Sequence, residues 1–145
     1  MTSAERRDRP RAVLDSNVLI SAFAFPSGVP YRIVQALIGV QFVGVISPFI
    51  LEEVTRNLRR LDVDEGVVDA TVEFLSETCE VIDPSRHSNV PSLTKADNRI
   101  LDCAISGHAD YLVTGDKGIL ALGRHAGIRI IGPAEFSNAE LRQFP

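Results

Sequence analysis

Short apolar runs along this chain alternate with longer segments in which apolar residues return every three or four positions. The runs cover residues 12–14, 42–46, 79–82, 111–113 and 128–131. Most are apolar at consecutive positions rather than at every second one, as in strands covered on both faces. Each leads into a residue suited to a strand end: Asp15, Ser47, Asp83, Thr114 and Gly132. The segments with helical period are 29–38, 48–61, 65–77, 95–106, 117–124 and 133–141. Ser47 is a candidate cap with Pro48 at the first helical position, and Gly107 is a stop signal. This alternation predicts right-handed crossovers and a three-layer α/β/α sandwich around a central parallel sheet of about five strands. Residues 84–93 form the longest predicted loop. Residues 1–10, with Arg6, Arg7 and Arg9, read as a flexible basic arm, and residues 11–145 as one domain.

Composition narrows the chemistry. With 45% hydrophobic and 23% charged residues, the chain can bury a core and is not of the disordered class. No apolar run approaches the roughly 18 residues of a membrane span. The opening MTSAERRDRP has no apolar core of a secretory signal. Two cysteines, Cys79 and Cys103, are too few for a disulfide framework or a zinc site and suit a reducing cytoplasm. His87, His108 and His125 have no metal-ligand spacing, so catalysis has to rest mainly on carboxylates. The net charge of −4 argues against a protein that coats nucleic acid. Thirteen of the 15 basic residues are nevertheless arginine, the better shape for gripping phosphate.

Four acids stand where a solvated surface would not put them. In open α/β sheets, ligands bind at the carboxyl ends of strands, near the point where strand order reverses. Asp15 ends the first predicted strand, and Asp116 follows the fourth by the Thr114–Gly115 turn, so both belong to one sheet edge. On a wheel of about 100° per residue, the stripe of Ile100, Leu101, Ala104 and Ile105 centres near the direction of Asp97. Residues 94–97 also match a capping box, whose acidic member folds back on Thr94, and that role is compatible with a ligand role. Asp102 sits at the edge of the stripe, open toward the same pocket or toward water. In the second helix Glu53 lies about 60° from Ile50 and points inward, while Glu52 points outward within reach of Arg56 at i+4. Carboxylates brought that close raise one another's pKa unless a cation sits among them. An all-oxygen set selects a hard ion such as Mg²⁺ or Mn²⁺, and such an ion can activate water against a phosphodiester. That is a nuclease-like site.

The same residues carry a family resemblance. Val13-Leu-Asp15-Ser-Asn17-Val-Leu-Ile20 resembles the opening strand of PIN-domain ribonucleases, and Ser47-Pro-Phe-Ile-Leu-Glu-Glu53-Val their second acidic helix. Ala96-Asp97-Asn98-Arg-Ile-Leu-Asp102-Cys-Ala104 and Ala109-Asp110-Tyr-Leu-Val-Thr114-Gly115-Asp116-Lys117 are similar to the third and fourth. With Ile131-Gly-Pro133-Ala-Glu-Phe136, the likeness spans residues 12–136. Within the family, the chain is most similar to VapC-like toxin components of prokaryotic toxin–antitoxin systems. The resemblance implies Mg²⁺- or Mn²⁺-dependent cleavage of RNA. It implies Asp15, Glu53, Asp97 and Asp116 as the catalytic, metal-binding acids, with Asp102 as an auxiliary. Asn17, Thr114 and Ser16 (in place of the commoner Thr) fall where the family has supporting polar groups. The resemblance also implies a homodimer and inhibition by an antitoxin protein.

Lys117, Lys95, Arg99 and Arg32 are candidate phosphate contacts beside the inferred cleft, each equally readable as a surface cation. Two other function classes match parts of the pattern. A phosphoacceptor receiver domain would use Asp83, yet Asp15 lacks an adjacent acid and the fifth strand carries no lysine. A binding module without catalysis would keep the cleft for RNA or an antitoxin peptide, and the intact acid set argues against it.

Overall fold

Ala12, Val13 and Leu14 are all buried, although consecutive strand residues point to opposite faces of a sheet. The strand is therefore covered by helices on both sides. The computed structural model describes residues 9–141. Its sheet contains β1 (Arg11–Leu14), β2 (Val43–Ile46), β3 (Glu80–Val81), β4 (Tyr111–Val113), β5 (Arg124–His125) and β6 (Ile128–Ile131). The helices are α1 (Ser16–Ala24), α2 (Val29–Ile38), α3 (Pro48–Arg60), α4 (Glu65–Thr78), α5 (Lys95–Ser106), α6 (Lys117–Leu120) and α7 (Pro133–Glu140). Strand order is β3-β2-β1-β4-β6-β5, parallel except for β5. From β1 the chain builds outward through β2 and β3, then returns to place β4 on the other side. The order thus reverses between β1 and β4, where Asp15 and Asp116 were expected.

The five parallel strands expected from the sequence are present, and Arg124–His125 adds a sixth, antiparallel one by folding back on β6 in a hairpin. Ala126 and Gly127 close it with φ of 51° and 80°, the left-handed pair that tight hairpin turns require. Alanine is a poor announcement of such a turn, and Arg-His has no apolar alternation to mark a strand. The same hairpin shortens the helix expected over 117–124 to the single turn of α6, since the chain reverses at Gly123, φ 67°.

Helix α1 is an addition. Val18 and Leu19, directly after the first strand's acid, read as more strand, yet they join Ala22 as buried positions i, i+1 and i+4 of a helix. The expected basic arm falls mostly outside the described residues; Pro10, within them, is tied to the sheet through the Val43 amide, 2.8 Å from its carbonyl. No helix among the described residues is long and apolar enough to cross a membrane.

Gly107 ends α5 in a tight spot. A Cβ there would stand 2.5 Å from Val45 Cγ1 and 2.9 Å from the Cys103 carbonyl oxygen. Its carbonyl also receives the Arg11 guanidinium through Nε, at 3.1 Å, and through Nη2, at 2.7 Å. Gly107→Ala is therefore expected to lower unfolding free energy by about 1–3 kcal/mol, read from urea midpoints with an unchanged slope.

Candidate active site

Asp15 is the most enclosed of the four acids, 4% exposed at the end of β1. It occupies the cap position of α1 without spending its carboxylate on a cap hydrogen bond. Two hydroxyls hold that carboxylate instead. Thr114 Oγ1 donates to Oδ2 at 2.7 Å, and Ser16 Oγ lies 3.3 Å from Oδ1. Thr114 is fully buried and also accepts from the Asp116 amide at 3.0 Å. One hydroxyl thus ties the two strand-end acids together across the reversal point. Asp116 is exposed and caps α6, its Oδ1 accepting from the Ile119 amide at 3.0 Å.

Glu53 and Asp97 arrive from helices. Glu53 is half-buried on α3, and Ser16 Oγ reaches its Oε1 at 3.2 Å, so this hydroxyl stands between Asp15 and Glu53. Glu52 points outward, exposed; Arg56 acts electrostatically on Glu53. Asp97 sits in the first turn of α5, where its amide donates to Thr94 Oγ1 at 3.1 Å, as the capping pattern requires.

The four carboxylates feel one another. Burial raises the pKa of Glu53 above its ordinary 4.5, opposed by the Ser16 hydroxyl and reinforced by the charges of Asp15 and Asp97. Burial likewise raises Asp97 above 3.8, against the pull of the Thr94 hydroxyl, with Asp116 and Asp15 adding repulsion. Among the described residues, however, no three acidic, histidine or cysteine side chains are already closed into a metal-holding group. The acids share a field while each is held by its own local hydrogen bond, an open cluster rather than a finished chelate. Mg²⁺ keeps several waters and commonly takes only one or two carboxylates directly, so an open all-oxygen set suits it.

Raised carboxyl pKa values have a defined sign in stability. Each such group contributes stability that is fully present below its unfolded pKa and lost as pH rises through the higher folded value. Glu53→Gln, which removes the charge and keeps the shape, is expected to melt roughly 1–3 °C above the parent at pH 7. That advantage should fade once the pH falls below 4.5, the ordinary Glu value. Thermal unfolding at the two pH values checks it; equal melting at pH 7 contradicts it.

Asp102 belongs elsewhere. It is 2% exposed and engaged by Arg99 Nε at 2.9 Å and by the Ser88 amide at 2.6 Å. Its carboxylate ties α5 to the 84–93 loop instead of facing the cluster. Arg99, expected as a phosphate contact, is half of that clamp and also donates to the Ser88 carbonyl at 3.0 Å. The Asn17 side chain is exposed and makes no hydrogen bond among the described residues, unlike those of Ser16 and Thr114. Lys117, Lys95 and Arg32 are exposed. Asp83, the receiver candidate, is exposed beyond β3 and lines a cavity with His87 and Arg99. The sequence reading missed the clamp: Asn98, 5% exposed, also binds the loop, accepting from the Val90 amide at 2.8 Å. Its one sequence signal was a polar residue within a buried helical stripe.

Residues 11–118 match the family model described as PIN domain. The chain belongs to the PIN domain family. All four acids fall inside the match, and PIN domains are generally nucleases. This PIN domain is 29% identical over 117 residues to the uncharacterized protein MJ1680 of Methanocaldococcus jannaschii, covering 77% of this chain and 74% of that protein. Its fold resembles a chain in the crystal structure of VapBC2 from Rickettsia felis bound to a DNA fragment from their promoter. The TM-score is 0.61 at 16% identity, over 84% of this chain and 98% of that one. Family membership replaces the receiver reading.

Proposed function

We propose that this PIN domain is a divalent-metal-dependent endoribonuclease, the toxin of a toxin–antitoxin pair. The observation that carries the reading is the buried Asp15 carboxylate, tied through one threonine hydroxyl to Asp116, with Glu53 and Asp97 in the same field. None of these four is spent on an arginine salt bridge among the described residues, whereas Asp102 is. Asp15, Glu53, Asp97 and Asp116 would hold Mg²⁺ or Mn²⁺, which when bound supplies an activated water and neutralises charge on the phosphate.

The chain's own contribution is positional. Thr114 and Ser16 fix both oxygens of Asp15, so little rearrangement is needed when a phosphodiester enters. Glu53, its pKa raised by burial, shares the Ser16 hydroxyl with Asp15, which holds the two carboxylates side by side. Lys117, exposed next to Asp116, would meet a phosphate oxygen. The toxin assignment is supported by the likeness to the VapBC2 structure. In that role the acidic cleft would accept an arginine from an antitoxin as a charge-assisted pair. A homodimer and a cytoplasmic location belong to the same reading.

Purified protein is expected to cleave end-labelled single-stranded RNA with Mg²⁺ or Mn²⁺ and to lose activity in EDTA. Its expression should arrest growth of a bacterial host. Folded protein that cleaves no RNA with either metal, or cleaves equally in EDTA, overturns the proposal; RNA binding without turnover would leave a binding module.

A further inference from the structure

Two neighbouring cavities have no task in the reading above. One, of about 130 Å³, is bounded by Phe49, Asp83 and Pro84. The other, of about 330 Å³, is bounded by Lys95, Ser88 and Asn89. His87 and Arg99 line both, so the two adjoin and are taken together as a trench. Its place follows from sheet order. Across β4, β1, β2 and β3, the carboxyl edge carries Asp116, then Asp15, then Ser47 to Phe49, then Asp83 to His87. Residues lining the trench therefore stand on the same carboxyl edge of the sheet as the acids. Phe49 stands one helical turn before Glu53 on α3, and Lys95 shares the first turn of α5 with Asp97.

The wall of the trench is built, not incidental. Arg99 and Asp102 hold Ser88 by both its amide and its carbonyl. Asn98 does the same for Val90, accepting from its amide at 2.8 Å and donating to its carbonyl at 3.3 Å. A loop of this length is ordinarily mobile; here buried polar groups strap it to α5. The charge of Arg99 is matched by Asp102 within the wall. The side chains of Lys95 and His87 are exposed and make no ion pair or hydrogen bond among the described residues. The trench thus offers a fixed polar wall, the Lys95 ammonium, the His87 imidazole and a half-buried aromatic ring, with the exposed Asp83 carboxylate confined to the smaller cavity.

We propose that this trench holds the single-stranded RNA flanking the scissile phosphate, with a backbone phosphate at Lys95 and His87 and an unstacked base against Phe49. The identity of the polymer rests on the ribonuclease reading. Single-stranded RNA fits because its bases are free to leave the stack and lie on an aromatic side chain, whereas a duplex keeps them inside. The larger cavity is of the size that takes one small ligand or one segment of a polymer.

The test uses Asp15→Asn protein in EDTA, so that binding is read without turnover, with a fluorescein-labelled single-stranded oligoribonucleotide and anisotropy. Lys95→Ala with His87→Ala is expected to weaken binding about tenfold and to flatten the salt dependence by about one unit of log–log slope. Phe49→Leu should weaken it roughly fivefold or more, and Phe49→Tyr, which keeps the ring, should restore it. A charge-matched control at the far end of α3, Arg60→Ala, should stay within about twofold of the parent. A duplex of the same sequence should bind at least about tenfold more weakly. Unchanged affinity in the trench variants, or equal binding of duplex, overturns the proposal. Cleavage by the parent protein separates the two readings. Cleavage with unchanged binding in the variants removes the trench and leaves the ribonuclease; weakened binding with no cleavage by the parent does the reverse.

Discussion

Replacing Asp15 by Asn is expected to lower the kcat for cleavage of single-stranded RNA by on the order of 10³-fold, with the fold intact. The substitution is nearly isosteric, and the new amide oxygen can still accept from Thr114. What disappears is the charge at the one carboxylate of the four held on both oxygens and enclosed at 4% exposure. The same change relieves the repulsion that Asp15 exerts on Glu53 and Asp97. Melting temperature is therefore expected to hold or rise while activity falls. A variant that melts like the parent and cleaves at its rate would remove Asp15 from the chemistry, and with it the proposed site.

Phe136→Ala is expected to cost about 3–5 kcal/mol of unfolding free energy. The ring is completely buried at the start of α7 and meets Phe42 and Tyr111 edge-on, at centroid distances of 5.2 and 5.3 Å. Edge-to-face contacts add to the area term, and a gap this size between a helix and a sheet does not close by small shifts. Against the ~5–15 kcal/mol total stability of an ordinary domain, the loss is large. A melting temperature roughly 10–15 °C below the parent should follow. Phe136→Leu keeps most of the volume and should lose much less. If alanine melts within about 3 °C of the parent, the aromatic cluster is not a main support of the sheet.

The layered architecture was legible because strands buried on both faces have no polar alternation to hide them. Caps added punctuation: Ser47 accepts from the Ile50 amide at 3.3 Å and Thr94 from the Asp97 amide at 3.1 Å, as their spacing suggested. The inward aim of Glu53 was readable from angles alone, since helical geometry fixes direction relative to Ile50. Where local signals conflicted, the reading failed. The run Val18 to Ile20 is as good a strand as a helix, and only its packing beside Ala22 decides. The β5 hairpin rests on an alanine at positive φ, a conformation alanine does not advertise.

Sequence by itself determined the periodicities, the strand-end acids and the motif order that marks a PIN domain, because these depend on neighbours a few residues apart. Tertiary structure alone decided what each polar group meets. Asp97 and Asp102 lie five residues apart on one helix and are the same residue type, yet one shares a field with Asp15 and Asp116 while the other is consumed by Arg99 and the Ser88 amide. Likewise the Thr114 hydroxyl joins Asp15 across 99 positions of chain. Electrostatic partnership depends on distance in space, and the sheet's crossovers, not the spacing of residues, set that distance.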